Sequence, residues 1–189
     1  MGSPRAADPV KLIVAVLWRE ETWFDAALSE LRTLWGQTDF QGDPHLFDLT
    51  DYYSAEMGTD LSRTLVSFRA LVPPESLLEA KLACNAIERQ LAAGSSRRVN
   101  LDIGYLDDNK LVLGSVKAAG QKIHLGRGVY ADLIGRYKGG RYEPFEWTFP
   151  DFRDGRYDRE LSAIRALYRA QLRDGLGRGA SGRLGREHA

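Results

Sequence analysis

The sequence predicts an α+β fold in which a mixed or antiparallel sheet carries three main helices. Three observations lead there. The nearly continuous apolar run from Lys11 to Trp18 has strand length and reads as a strand buried on both faces. Three separate segments repeat apolar residues at three- and four-residue steps, the spacing of a helix with one buried stripe. From Val99 onward the chain is a series of short apolar or alternating segments separated by glycine-containing turns. The first half reads strand, helix, strand, strand, helix. One more strand would complete a ferredoxin-like split βαβ start, followed by a β-rich second half.

The elements follow in order. Met1 to Asp8 is an unpatterned, small-residue stretch expected as a mobile leader. After the Lys11 to Trp18 strand, Glu20, Glu21 and Thr22 supply acidic and capping groups for a helix from about Trp23 to Leu34, ended by Gly36. Asp39 to Asp51 is a second extended segment broken at Gly42-Asp43-Pro44. Leu61 to Leu71 is a third. Pro73 and Pro74 open a helix from about Glu75 to Ala93, with Leu77, Ala80, Cys84, Ile87 and Leu91 on one face. Either Val99 to Leu101 or Lys110 to Lys117 is expected to supply the fourth ferredoxin-like strand. Gln121 to Leu125 follows Ala118-Ala119-Gly120 as the return of a hairpin, with Ile123 and Leu125 on one face and Lys122 and His124 on the other. Val129 to Tyr137 alternates less cleanly. Arg141 to Phe149 places Phe145, Trp147 and Phe149 on a single face, with Pro144 marking it as an edge or irregular strand. A last helix is expected from about Tyr157 to Arg173. Residues 9–173 are thus expected as a single globular domain, and 174–189, rich in glycine and arginine, as a disordered tail.

Composition narrows the function classes. The chain has 189 residues, of which 43% are hydrophobic and 28% charged, ordinary values for a globular protein. Lys plus Arg and Asp plus Glu both number 26, so no net field draws the chain to nucleic acid or to a membrane surface. The single cysteine, Cys84, excludes an internal disulfide and an all-cysteine zinc site, and its place in a helical stripe makes it a core residue. No signal peptide is recognised, the first apolar run is too short to span a bilayer, and the expected location is the cytoplasm. The phosphate-loop, dinucleotide-turn, nucleophile-elbow, His-Glu-x-x-His and EF-hand patterns are all missing.

Four polar constellations remain. Asn100 and Asp102 point the same way from an extended strand, and Gly104 would allow a turn presenting Tyr105. The competing reading is an Asx-type turn that closes the strand. Lys117, Lys122 and His124 gather around one hairpin, where two cations and an imidazole suit a phosphate or carboxylate; a solvated sheet face is the alternative. Lys81, Asn85 and Glu88 form a row beside the buried stripe of their helix, or simply its boundary. Asp51, Tyr52, Tyr53 and Glu56 would grip a polar ligand, or close a loop over the core. The aromatic exit from Trp147 through Asp151 to Arg153 completes the candidate cleft.

These residues define a candidate site with His124 and Asp102 as acid–base groups. Asn100, Tyr105, Lys117, Lys81, Asn85, Trp147, Asp151 and Arg153 are its ligand-binding groups. The sequence points to no metal and names no cofactor, and it leaves oligomeric state open. The favoured function is an enzyme or binding domain for a small anionic, phosphorylated or nucleotide-like ligand. One alternative is an RNA- or single-strand-binding module that stacks bases on an open sheet face. The other is a partner-binding protein using the Phe145, Trp147 and Phe149 strip.

From Pro9 to Arg173 the chain resembles a bacterial family known as domain of unknown function 4416. The resemblance rests on segments in order: Pro9-Val10-Lys11-Leu12, Thr50-Asp51-Tyr52-Tyr53, Glu56-Met57-Gly58, Ser67-Phe68, and Lys81 with Asn85 and Glu88. It continues through Arg98 to Asp102, Gly104-Tyr105-Leu106, Lys110 to Leu113, Gly128 to Ala131, Trp147-Thr148 and Pro150-Asp151. Ile103 stands where the family pattern leads one to expect proline. The resemblance implies a bacterial protein but no established activity, catalytic residue or cofactor.

Overall fold

A computed structural model of the chain describes residues 2–181, with side chains described through residue 174. One nine-stranded sheet runs through it in the order β2-β4-β1-β5-β6-β8-β7, with β3 paired to β4 and β9 paired to β8. The strands are β1 (Val10–Trp18), β2 (Thr38–Gln41), β3 (His45–Leu46), β4 (Ser62–Val72), β5 (Val99–Leu106), β6 (Lys110–Ser115), β7 (Ile123–Gly126), β8 (Val129–Lys138) and β9 (Arg141–Pro144). All pairings are antiparallel. Three long helices, α1 (Glu21–Trp35), α3 (Leu77–Leu91) and α5 (Asp158–Ser181), are joined by the one-turn helices α2 (Ser54–Met57) and α4 (Pro150–Arg153).

β1 is the spine. It lies between β4 and β5, and Val16 faces Thr64 on one side and Leu101 on the other. Its residues alternate between two cores, which is why the sequence there is apolar without a break. Leu12, Val14 and Val16 pack with Phe24, Leu28 and Leu31 of α1 and with Leu77, Cys84 and Ile87 of α3. Ile13 and Ala15 pack with Leu161, Ile164 and Tyr168 of α5 on the opposite face. The order β2-β4-β1-β5, with α1 and α3 on one face, is the ferredoxin-like start predicted from the sequence. Its fourth strand is Val99–Leu106. The sheet then continues past β5 rather than ending there, and α5 covers the second face.

Lys11 is the one charged residue buried along the spine, at 0% exposure. It bonds to the carboxylate of Asp39, and its Nζ donates to Gln171 Oε1 at 2.9 Å. Burial lowers its pKa, opposed by the Asp39 charge. Asp39 also accepts from Ser67 Oγ at 2.7 Å, so a polar cross-link ties β1, β2, β4 and α5.

Several local expectations are corrected. β7 pairs with β8 and not with β6, so the segment around Lys117 is not the tip of a two-stranded hairpin. β7 is an outer strand; Ile123 and Leu125 are exposed along with His124, and its alternation has no covered face. Phe145, Trp147 and Phe149 do not share a strand face, because β9 ends at Pro144 and Phe145 and Trp147 turn back to stack at 4.8 Å. No turn presents Tyr105: β5 runs straight through Ile103 and Gly104 to Leu106. α5 continues to Ser181, past the expected end at Arg173, and residues 182–189 of the expected disordered tail lie outside the described residues. Residues 2–9 are exposed and without regular structure, whereas Met1 lies outside the described residues.

Gly104 marks a point where β5 passes close against β6. A Cβ at this position would lie 2.2 Å from the carbonyl oxygen of Val112 and 2.6 Å from Leu113 Cδ2. Backbone cannot yield as a side-chain tip can, so Gly104→Ala should cost about 3 kcal/mol or more, the upper range of overpacking. Gly120→Ala, with nothing within 4 Å, should be near neutral. Urea denaturation of the two variants checks this, and equal stability would refute the close approach.

Candidate functional site

β5 and β6 stay paired only from Gly104↔Leu113 to Leu106↔Leu111. Beyond Leu113, β6 swings away and pairs only with β8, Gly114 opposite Ala131 and Ser115 opposite Tyr130. The half of β5 from Val99 to Ile103 is therefore paired to β1 but has no strand on its other side. An unpaired buried N–H or C=O is costly, so these groups must find partners elsewhere. α3 supplies them. Glu88 Oε1 accepts from the Leu101 N–H at 2.6 Å, and Lys81 Nζ donates to the Leu101 carbonyl at 2.9 Å. Two side chains two helical turns apart on one row of α3 thus replace a strand. Gly114 lets β6 pass this row, since a Cβ there would stand 3.1 Å from Lys81 Cβ.

The gap left between the strands is a cleft of ≈ 370 Å³, a volume suited to a small ligand. Asn100 and Asp102 line one wall from β5. Ser115, Lys117 and Lys122 line the other from β6 and the segment after it, with Asp132 from β8. Lys81, Asn85 and Glu88 form the floor from α3, and Tyr52, Tyr53 and Phe149 stand at the rim. Lys117 crosses the mouth to the Tyr52 hydroxyl, its Nζ 4.2 Å from the ring centroid.

Two arginines hold the walls. Arg97 binds both oxygens of Glu56 at 2.7 and 2.6 Å, and its Nη1 donates to Asn100 Oδ1 at 2.6 Å. This raises the Arg97 pKa and lowers that of Glu56, the mutual hydrogen bonds being the largest cause in each. Arg63, at 0% exposure, donates to Asp151 Oδ2 at 2.5 Å and to Asp102 Oδ2 at 3.1 Å. Its guanidinium lies 4.6 Å from the Phe47 ring centroid, and Tyr157 donates to the same Asp151 oxygen at 3.0 Å. Arg63 thus fixes Asp102 from behind while Asp102 faces the cleft.

Buried polar atoms in this wall are left without partners. Asn100 is 4% exposed and its Nδ2 bonds to nothing among the described residues. Asp132 is 5% exposed, paired through Oδ2 with Lys122 at 3.2 Å, and its Oδ1 has no partner there. Lys81, 5% exposed, forms no ion pair among the described residues and touches only the neutral Leu101 carbonyl.

Of the ten acid–base and ligand-binding candidates, the structure gathers five at this cleft, Asn100, Asp102, Lys117, Lys81 and Asn85, together with Lys122, Glu88, Tyr52 and Tyr53 of the polar constellations. The others lie elsewhere. His124 is exposed outside the cleft, its ring 5.0 Å from that of Tyr130, because β7 pairs on the far side of β8. Tyr105 projects from the opposite face of β5 into the α1/α3 core, where burial raises its pKa. Asp151 is consumed by Arg63 and Tyr157. Trp147 donates to the Leu133 carbonyl at 2.9 Å and Arg153 to that of Glu146 at 3.1 Å, both closing the turn after β9. Arg63, Arg97 and Asp132 escaped sequence reasoning. Asp132 left one trace: it sits in phase with the buried Ile134, which is why that strand alternates poorly.

The family model for a domain of unknown function, DUF4416, matches residues 8–168. The chain belongs to this family. Comparison with curated proteins and with solved structures found no match. Among the described residues no helix is long and apolar enough to cross a membrane, and no group of three or more His, Cys, Asp or Glu is placed to hold a metal ion.

Two consequences can be measured. Arg63→Met leaves Asp151 and Asp102 without their cation and should cost about 3–5 kcal/mol in chemical denaturation, as for other broken buried pairs. A loss under about 1 kcal/mol would contradict the burial of that pair. Glu88 is governed chiefly by burial, which raises its pKa above 4.5 against the attraction of Lys81 and Arg97. The folded chain therefore holds this proton more tightly than the unfolded one. The associated stability is complete below the unfolded value and is lost as pH rises through the folded one. Wild type should lose stability relative to Glu88→Gln as pH is raised from 4.5; a constant difference would contradict the shift.

Proposed function

We propose that this DUF4416 protein binds a small phosphorylated ligand, a soluble cytoplasmic metabolite, in the cleft between β5 and β6. One observation carries the reading: on the same cleft the buried Asn100 amide has no acceptor among the described residues, and the buried Lys81 ammonium has no ion-pair partner there, only the neutral Leu101 carbonyl. An anion there would neutralise Lys81 and accept from Asn100, with Lys117 closing over it from the Tyr52 rim. The chemistry favours phosphate over carboxylate. A planar carboxylate is best met by the fork of a free arginine, but Arg97 spends its fork on Glu56, and what remains are lysine point charges and an amide approaching from several sides.

The base-stacking alternative has less support. It requires an open sheet face, and α5 covers the one that a ferredoxin-like binder would leave free. A role for His124 in proton transfer is likewise unsupported, since it stands outside the cleft.

Calorimetric titration with inorganic phosphate and pyrophosphate tests the proposal. Lys81→Met and Lys117→Ala should each weaken binding by about tenfold or more, the value of one charge-assisted hydrogen bond, with cooperative melting retained. Lys81→Met also leaves the Leu101 carbonyl without its donor, so it should melt at a lower temperature. His124→Ala should bind as wild type does. Normal binding by both lysine variants, or loss of binding in His124→Ala, would refute it.

A further inference from the structure

We infer that the ligand's organic part carries a hydroxyl group, and that Asp132 is the residue that selects it; this rests on reading the cleft as a phosphate site. The wall of the cleft formed by β6 and β8 differs in character from the floor. Asp132 is 5% exposed, yet one of its two oxygens has no partner among the described residues. Leaving a buried carboxylate oxygen unfilled is unfavourable, so the position calls for a hydrogen-bond donor from whatever occupies the cleft. Asn100 Nδ2, on the opposite wall, calls for an acceptor, and Lys81 on the floor adds a positive charge bonded only to a backbone carbonyl. The cleft is thus two-ended: donors where an anion fits, an acceptor where a donor fits.

The charge around Asp132 decides which donor. Its other oxygen is held by Lys122 at 3.2 Å, and Lys122 is itself fixed by donating to Ser115 Oγ at 2.9 Å. The carboxylate is therefore already neutralised by a cation packed in the same wall. An ammonium group brought to Oδ1 would meet the Lys122 charge as well, with Lys81 and Lys117 on the same cleft. A neutral hydroxyl pays no such repulsion and still gains a hydrogen bond to a charged acceptor. The ligand class that meets both ends is a phosphomonoester of a polyol or sugar.

The test compares three phosphomonoesters by calorimetry on the full chain: propyl phosphate, which lacks a free hydroxyl, glycerol 3-phosphate and ribose 5-phosphate. At least one hydroxylated ester should bind about tenfold or more tightly than propyl phosphate. In Asp132→Asn the amide oxygen can stay on Lys122 and turn an NH2 toward the cleft, so the ligand hydroxyl loses its charged acceptor and keeps at most a neutral hydrogen bond. That variant should cut the preference for the hydroxylated ester over propyl phosphate about threefold or more, while propyl phosphate binds no more weakly than to wild type, since loss of a carboxylate removes nothing that holds an anion. Equal affinity of wild type for all three esters overturns the hydroxyl assignment and leaves the phosphate reading standing. A preference that is undiminished in Asp132→Asn overturns the role of Asp132. If none of the three binds, the phosphate reading itself fails. Should Asp132→Asn not fold, the wild-type comparison still decides whether a hydroxyl is selected.

Discussion

The backbone of Leu101 is the constraint from which the site follows. Its N–H and C=O point toward a neighbour that β6 no longer provides after Leu113, and α3 answers with Glu88 and Lys81. A buried acid and a buried amine placed two helical turns apart would be an expensive choice for an ordinary helix–sheet interface. Here each does backbone work that nothing apolar can do. The same substitution holds the strands apart, and the opening becomes the cleft. Gly104 sets where the strands still touch, and Gly114 sets where β6 leaves.

Two further arrangements keep the opening from collapsing. Arg97 ties α2, α3 and β5 through Glu56, Glu88 and Asn100, and so anchors the Tyr52-Tyr53 rim to the strand it overhangs. Arg63 ties β4, β5 and α4 through Asp102 and Asp151. The walls are rigid elements, and the polar groups on them are oriented by neighbours rather than by a ligand. Such preorganisation lowers the ordering cost of binding. Most charges near the cleft are spent on each other, leaving Asn100 Nδ2 and Asp132 Oδ1 without partners among the described residues.

The helices and the spine strand were legible because their signals are local. The stripes of α1 and α3, and the unbroken run of β1, reveal period and burial without knowledge of partners. The ferredoxin-like order followed from connectivity. What lay hidden was non-local. That β7 joins β8 rather than β6 depends on which edge the chain returns to, and this moved His124 away from Lys117. The common face of Asn100 and Asp102 was readable from strand alternation, but Tyr105 was misplaced because Gly104 was read as a turn when it serves a close strand crossing. Arg63 and Arg97 resemble any arginine in sequence; only the convergence of carboxylates from distant segments gives them their roles.

The most direct measurement of the central claim is proton–nitrogen correlation NMR of the Asn100 side-chain amide and the Lys81 ammonium during titration with inorganic phosphate. The account predicts that both signals shift together and saturate with one affinity, while the side-chain amide of Asn109, on the β5–β6 turn, stays still. Shifts confined to Arg98, which lies over the Trp23 ring, with Asn100 and Lys81 unmoved, would contradict it.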